Sequence, residues 1–408
     1  MKILMLSATF PYPPTAGGTQ VRTFNLLKYL QQHHQITLVT QRDYRTSESE
    51  IAQLQGCVDD LVVFDHPRSS ENTPGLWKKI TRLRQFLQQG TPPNVLNRYS
   101  TAMQAWVDDF VHTGKCDVIT CEHSVNEIYV RSHFQTQQKT IVNIHSSVYG
   151  TCRNQLATGI TDNRLRDTIN LPLLRRYEQS YCTKFSEIVV TTPEDKLQLQ
   201  KFNPHSKITV IPNGVDLSSF PHRPTDPGGH RLIFLGAMDN LANIDAVCFF
   251  CHEVLPEIQK LYPDTSFDIV GARPTDTVLA LQQRQGVNVT GAVPVMVEYL
   301  HRATICVVPM RTGFGIKNKT LEAMAAGVPI VASDRGLEGL DIDTPLRALR
   351  ANQPQEYVAA ITHVFENPQL RRELSINSRQ LVESEFTWDI AGQRYEQVCR
   401  GLNPNFSR

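Results

Sequence analysis

Residues 313–333 read GFGIKNKTLEAMAAGVPIVAS, a glycine loop followed by two lysines, a short amphipathic helix and a β-branched strand. The pattern predicts a helix that starts at Asn318, a good capping side chain, and stops at Gly327, with Pro329 forcing the exit. Entered through glycines, such a helix turns unpaired backbone N–H groups and the positive end of its dipole towards one spot, where an anion belongs. Lys317 and Lys319 reinforce that spot, because a phosphate brought out of water needs hydrogen-bonded opposite charge. Glu322, one turn into the helix, is placed to accept from two neighbouring hydroxyls. Donors for a diphosphate beside an acceptor for vicinal hydroxyls describe a nucleotide, so a sugar nucleotide is a natural ligand. The same loop would also serve as an ordinary strand-to-helix turn with solvated lysines.

Outward from this stretch, short apolar runs alternate with helical ones from end to end, the signature of parallel sheets covered by helices on both faces. KILMLSA, QITLVTQ, LVVFDH, VITCEH, TIVNIHSS and EIVVTT form a first series; after residue 205, ITVIPNGVD, RLIFLGA, FDIVGAR, VNVTGAV, ICVVPM and PIVAS form a second. IPNGVDLSSFPHRPTDPGGHR, rich in Pro, Gly and Asp, reads as the linker. The expected organisation is α/β: two facing Rossmann-like, doubly wound domains, residues 1–205 and 206–380, with a ligand cleft between the carboxyl ends of their strands. The tail, 381–408, contains an amphipathic helix whose Trp388, Ile390, Tyr395 and Val398 need a partner surface, and the first domain is the expected one.

Composition is that of a soluble globule large enough for two cores: 408 residues, 40% apolar, 20% charged. Lys and Arg number 41 against 40 Asp and Glu, a net charge of +1, so no field recruits nucleic acid and any anion must be bound locally. Nine scattered cysteines fit a reducing, cytoplasmic setting. Cys248, Cys251 and His252 have metal-like spacing, but helical periodicity makes both sulfurs core and no second pair completes a ligand set. MKILMLSATFPYPP lacks a signal peptide's apolar length and cleavage site, and no run approaches the roughly 18 apolar residues of a spanning helix.

GFGIKNKTLEAMAAGVPIVAS, with RLIFLGAMDNLANIDAVCFF, FDIVGARP, VNVTGAV and VIPNGVDLSSF before it, resembles the second domain of glycosyltransferase family 4, the retaining group of GT-B fold. FPYPPTAGGTQVRTFNLLKYL is similar to that family's opening glycine loop, and NIHSSVY to its mid-domain histidine segment. The resemblance implies transfer of a sugar from a nucleotide diphosphate sugar to an acceptor hydroxyl, with retained anomeric configuration and neither metal nor cofactor. By this likeness Glu322 is the second acid of the family's Glu-x7-Glu pair and holds the ribose. The first acid would fall at 314, which is Phe here, leaving the amides around Phe314, Gly315 and Ile316 to position the donor sugar. The Arg and Lys that many relatives carry after the first strand of the second domain are also missing, since LGAMDNLANID holds no cation. Lys317 is therefore expected to neutralise the leaving diphosphate, with Lys319 at most a helper.

The same likeness singles out Gly17 and Gly18, with Gly18 the better candidate, for close backbone approach to the donor, and Gly291 to Val293 for the base. His145, at the end of TIVNIH, is expected to contact the donor sugar or the acceptor hydroxyl, with Glu122 and His123 as acceptor contacts; Arg22 is left between phosphate and solvent. Asp341 and Asp343 have the Asp-x-Asp form of a metal site but read as a solvated turn. GLWKKITRLRQFLQQG, within 75–90, places Trp77, Ile80, Leu83 and Leu87 on one face and Lys78, Lys79, Arg82 and Arg84 around it, which suits an anionic membrane and a lipid-linked acceptor or an ordinary packed helix. A sugar-nucleotide 2-epimerase and a non-catalytic nucleotide-sugar binder are the alternatives.

Overall fold

The computed structural model describes residues 1–14, 17–67, 86–87, 90–161, 163–313 and 315–403. It divides into two compact units, Met1–Arg153 with Asn163–Pro212 and Trp388–Arg408, and Asn213–Thr387 with Asn154–Asp162. The stretch 75–90 lies outside the described residues except for Phe86, Leu87 and Gly90, as does Phe314.

The first unit is built on a sheet of seven parallel strands among the described residues: β1 (Lys2–Ser7), β2 (Gln35–Arg42), β3 (Asp60–Asp65), β4 (Val118–Glu122), β5 (Lys139–Ile144), β6 (Glu187–Val190) and β7 (Ile208–Val210). Their spatial order is β3-β2-β1-β4-β5-β6-β7. KILMLS can occupy the middle because it is apolar on both faces: Ile3 and Met5 join one buried cluster, Leu4 and Leu6 the other. Strand order reverses between β1 and β4, and at such a reversal the carboxyl ends part to leave a ligand crevice. Gly17 and His123 follow the two strands that end there, and His145 follows β5, the next strand along.

ITV of ITVIPNGVD closes this first sheet instead of opening the second. Ile188 aligns with Ile208 and Val190 with Val210, joined by a crossover through the helix Pro193–Gln200. The run is parallel to β6, and docking at the sheet edge packs Ile208 and Val210 against the first unit's core.

The second unit carries β8 (Arg231–Leu235), β9 (Ser266–Val270), β10 (Val287–Gly291), β11 (Ile305–Val308), β12 (Ile330–Ala332) and β13 (Leu349–Arg350), all parallel, in the order β10-β9-β8-β11-β12-β13. Its reversal lies between β8 and β11, so the residues after those strands face its crevice. β13, two residues long, has no strand signal in the sequence and exists because Val331 and Ala332 pair with it. Cys251 is buried and Cys248 half-buried, where the helix Leu241–Phe249 runs into a widened turn, Phe250–Val254, ahead of Pro256. Pro256 lacks the N–H that a regular turn would use, which accounts for the irregular ladder.

The last helix, Trp388–Cys399, belongs to the first unit. Trp388, Ala391, Tyr395, Val398 and Cys399 pack with Leu26, Leu27 and Leu30 of the helix Gly18–Leu30. Approach this close needs Gly392, whose Cβ would lie 2.2 Å from the Tyr29 ring. Gly392→Val should destabilise the protein by about 1–3 kcal/mol through overpacking, read as a lowered urea midpoint; an unchanged midpoint would show that this packing contributes nothing.

Candidate active site

The carboxyl ends of β8, β9 and β10 are marked by glycines. Gly236 after β8 and Gly271 after β9 hold φ of 154° and 153°, and a Cβ on Gly271 would fall 1.8 Å from the carbonyl oxygen of Gly236. The N–H of Gly271 donates to the carbonyl of Gly291 at 3.1 Å, so the ends of β9 and β10 join as well. Gly291 has φ 71° and open space where a Cβ would stand; Val293 is half-buried against the core.

Into this glycine edge reaches Lys319. Its Nζ donates to Asn243 Oδ1 at 2.6 Å and lies 4.0 Å from the centroid of the Phe234 ring, and a Cβ on Gly236 would sit 2.9 Å from it. Burial pushes the Lys319 ammonium down to about 7. Glu322, one turn further, is half-buried, and among the described residues nothing hydrogen-bonds its carboxylate. Burial pushes this acid up to about 7 against the pull of the Lys319 charge. Two poorly satisfied groups of opposite sign at one helix start are what a ligand carrying both phosphate and hydroxyls would complete.

Lys317 is disposed otherwise. It is 9% exposed, its Nζ bonds the carbonyl of Gly315, and it lies 3.3 Å from Glu338 Oε2, whose other oxygen stands 3.0 Å from Arg335. The lysine expected to meet the diphosphate is thus committed to a buried ion pair, while the expected helper occupies the crevice. The helix itself spans Asn318–Ala325, with Lys317 in the capping position and no side-chain cap. Asn318 does not cap because its Oδ1 accepts from Asn213 Nδ2 at 2.8 Å. Gly313 and Gly315, at φ 98° and 82°, hold left-handed conformations that glycine alone adopts without strain, and Ile316 turns into the core.

In the first unit Gly17 is extended and Gly18, the first helical residue, is exposed with nothing near where a Cβ would be. Packing therefore requires a side chain at neither, and open backbone is what Gly18 supplies. Arg22 meets neither solvent nor phosphate: it is 1% exposed and donates to Asn143 Oδ1 at 3.1 Å and to the carbonyls of Ile211 and Pro212 at 2.9 and 3.2 Å. Burial lowers its pKa to about 10, with Glu122 pulling the other way. Glu122 is fully buried and accepts from Tyr395 Oη at 2.6 Å and Asn143 Nδ2 at 2.8 Å, which removes it from the candidate acceptor contacts. Its pKa is raised by burial. His123 and His145 are brought together, ring centroids 5.1 Å apart.

Asp341 and Asp343 are exposed and lie 3.5 Å from Arg347 and 3.9 Å from Arg350. What sequence reasoning missed are partners, Asn243, Asn213 and Glu338, and the hydrogen bond by which Tyr395 reaches Glu122. Asn243, a polar residue within the apolar run LANIDAVCF, was the one with a visible signal.

The class of protein is that of two parallel, doubly wound sheets, the second with glycines at its strand ends and a lysine and an acid on the helix beside them. Residues 16–219 match the family described as Glycosyltransferase Family 4, and residues 229–367 that described as Glycosyl transferases group 1. The chain belongs to this group 1, family 4 class of GT-B glycosyltransferases and is an enzyme of hexosyltransferase type acting on a nucleotide-sugar donor. Among curated proteins it is 25% identical over 283 residues to the GDP-mannose-dependent monoacylated alpha-(1-6)-phosphatidylinositol monomannoside mannosyltransferase of Corynebacterium glutamicum, covering 62% of this chain and 72% of that one. Among solved structures it is similar to a sucrose-phosphate synthase from Thermosynechococcus elongatus, with a TM-score of 0.68, 17% identity, and 98% and 99% of the two chains covered. It is also similar to HepE of Anabaena in complex with UDP and glucose, with a TM-score of 0.64, 13% identity, and 98% and 100% covered.

A lysine whose folded pKa lies near 7, below its ordinary 10.5, burdens the fold while it is charged in both states; that burden is full below about pH 7 and fades as pH rises towards 10.5. Lys319→Met should raise Tm by about 2–4 °C at pH 6 and by progressively less at higher pH. A Tm that falls at pH 6 would show Lys319 to be a structural residue.

Proposed function

We propose that the enzyme transfers a hexosyl group with retention and without a metal, its diphosphate leaving group held by Lys319 and the N–H groups at the start of the helix Asn318–Ala325. The observation that carries this reading is the crevice pair itself, an ammonium and a carboxylate both left short of partners by this chain. As the bond from the anomeric carbon to the diphosphate breaks, negative charge grows on the phosphate oxygens and positive charge on the ring. A cation already desolvated stabilises that transition state more than the ground state. The acceptor oxygen bonds the anomeric carbon on the face the diphosphate leaves, and the acceptor proton passes to a departing phosphate oxygen. Glu322 accepts from the two ribose hydroxyls, while the amides of Gly315 and Ile316 position the hexose and Gly291 and Val293 border the base.

The corynebacterial relative is named for GDP-mannose and a lipid-linked mannoside, and HepE was solved with UDP and glucose. UDP- and GDP-hexoses are therefore the donors to screen first, with saccharide or lipid-linked acceptors of glycoconjugate or polysaccharide assembly. No helix among the described residues is long and apolar enough to cross a membrane. The proposed setting is the cytoplasm, and the basic stretch 75–90 is, by its sequence, the candidate for contact with an anionic membrane.

Donor incubation with and without acceptor, followed by free diphosphate, tests the activity: release only with acceptor supports transfer, an isomerised donor supports an epimerase, and neither supports a binder. The anomeric coupling constant of the product by NMR decides retention, and activity surviving EDTA decides the metal. Lys319→Ala should lower kcat by about 100- to 1,000-fold, the loss typical of removing one transition-state donor, whereas Lys317→Ala should mainly lower stability. Glu322→Gln should raise the donor KM by about 10-fold or more, from a lost charged hydrogen bond. Equal kcat in wild type and Lys319→Ala at saturating donor would remove the leaving-group assignment.

A further inference from the structure

A groove of about 620 Å3 lies between the last turns of the helix Thr101–His112 and the short 3-10 helix Ser132–Thr136. The first of these leads into β4, and Gln138 stands directly before Lys139, the first residue of β5. The groove therefore opens at the amino ends of these strands, the edge of the first sheet opposite to His123 and His145. All of its lining belongs to the first unit. Its volume falls within the roughly 300–1,000 Å3 that small-molecule sites occupy.

Two of the lining side chains, Val111 and Phe134, are buried and apolar. Beside them in the lining stands Gln138, only 7% exposed, whose Oε1 has no hydrogen-bond partner among the described residues. Buried polar atoms are nearly always matched, so one left open at the wall of a groove points to a ligand. The rest of the wall is built to bond. Arg131 donates to both oxygens of Asp108, at 3.1 and 2.9 Å, and Gln104 Nε2 donates to Oδ1 at 2.9 Å. These bonds, that from Arg131 first, hold the Asp108 carboxyl below its ordinary range. Asp109 is exposed and enters no ion pair among the described residues. His112 and His133 complete the rim, the His133 ring standing edge-on to Phe134 with centroids 4.9 Å apart.

This lining selects among ligands. The two aspartates oppose an anion. No three His, Cys, Asp or Glu side chains among the described residues gather as a metal ion needs. A lone ammonium would meet Asp109 and leave the apolar side chains and the amide unused. A pyranose offers an apolar C–H face to Val111 and Phe134. Its hydroxyls both donate and accept, so they complete Gln138 whichever way the amide is turned, and they pair with the carboxylate and the imidazoles as well. We propose that this groove is a saccharide site separate from the reaction crevice, holding a neutral glycan chain through Gln138 and Asp109. It goes beyond the glycosyl-transfer reading and does not rest on it.

The test is histidine-selective 1H–13C NMR of the full chain, with the His112 and His133 resonances assigned from His112→Gln and His133→Gln. Maltotriose and α-1,6-mannotriose are the neutral probes; spermidine and inorganic phosphate are the charged ones. At least one trisaccharide should shift both resonances along a single saturating curve. Asp109→Ala and Gln138→Leu should each weaken that curve by about 5- to 10-fold, and Lys319→Ala should leave it unchanged. Asp109→Ala alters an exposed side chain and keeps the fold. Gln138→Leu replaces an unmatched polar group with an apolar one of similar size, so its Tm should hold or rise. Trisaccharides that leave His112 and His133 unmoved, variants that bind as wild type does, or shifts produced by spermidine or phosphate alone overturn the proposal. A Tm lowered in Gln138→Leu shows the amide to be structural and overturns it too.

Discussion

The ends of β8 and β9 touch through Gly236 and Gly271, and a single Cβ on the latter would enter the carbonyl oxygen of the former. That contact sets the geometry of the second unit's site. With glycines at these strand ends, the Lys319 head settles over the end of β8, against Phe234 and Asn243, out of bulk water. Removed from water and given no carboxylate among the described residues at ion-pair distance, it holds its proton weakly, and Glu322 holds its own too strongly. Both consequences follow from desolvation, the largest cause in each case.

The first unit shows how buried polarity is handled when it is satisfied. Arg22, Asn143, Glu122 and Tyr395 come from two helices and two strands far apart in sequence and close a hydrogen-bonded chain inside the fold. Breaking any link would leave a buried charge short of a partner, which costs more than forming the link contributes. The contrast with Lys319, Glu322 and His145 Nε2 is informative. In one molecule, some buried polar groups are fully matched by the chain and others are left for something else to match.

Much of this was legible beforehand. Apolar runs such as KILMLS and RLIFL predicted parallel strands because a strand covered on both faces must be apolar on both. The glycine loop before KNKTLEAM predicted where the helix starts because helix starts and glycine conformations are local properties. Errors came where distant residues compete. ITV was read with the second sheet because its pairing with β6 is not a local feature. Asn318 was read as a cap because nothing near it in sequence reveals Asn213. Glu122 was read as a ligand contact because a carboxylate at a strand end looks the same whether it faces a crevice or Tyr395, more than two hundred residues on.

By itself the sequence determined the α/β class, the two sheets and the start of the helix Asn318–Ala325, all set by periodicity and backbone conformation within short windows, and its motifs carried the likeness to the family. Only the tertiary structure decided which lysine faces the crevice. Lys317 and Lys319 are two residues apart with the same charge, and what separates them is Glu338 beside one and a glycine edge beside the other. The partner and the solvent around a charge are properties of the packed fold, and they govern what that charge can do.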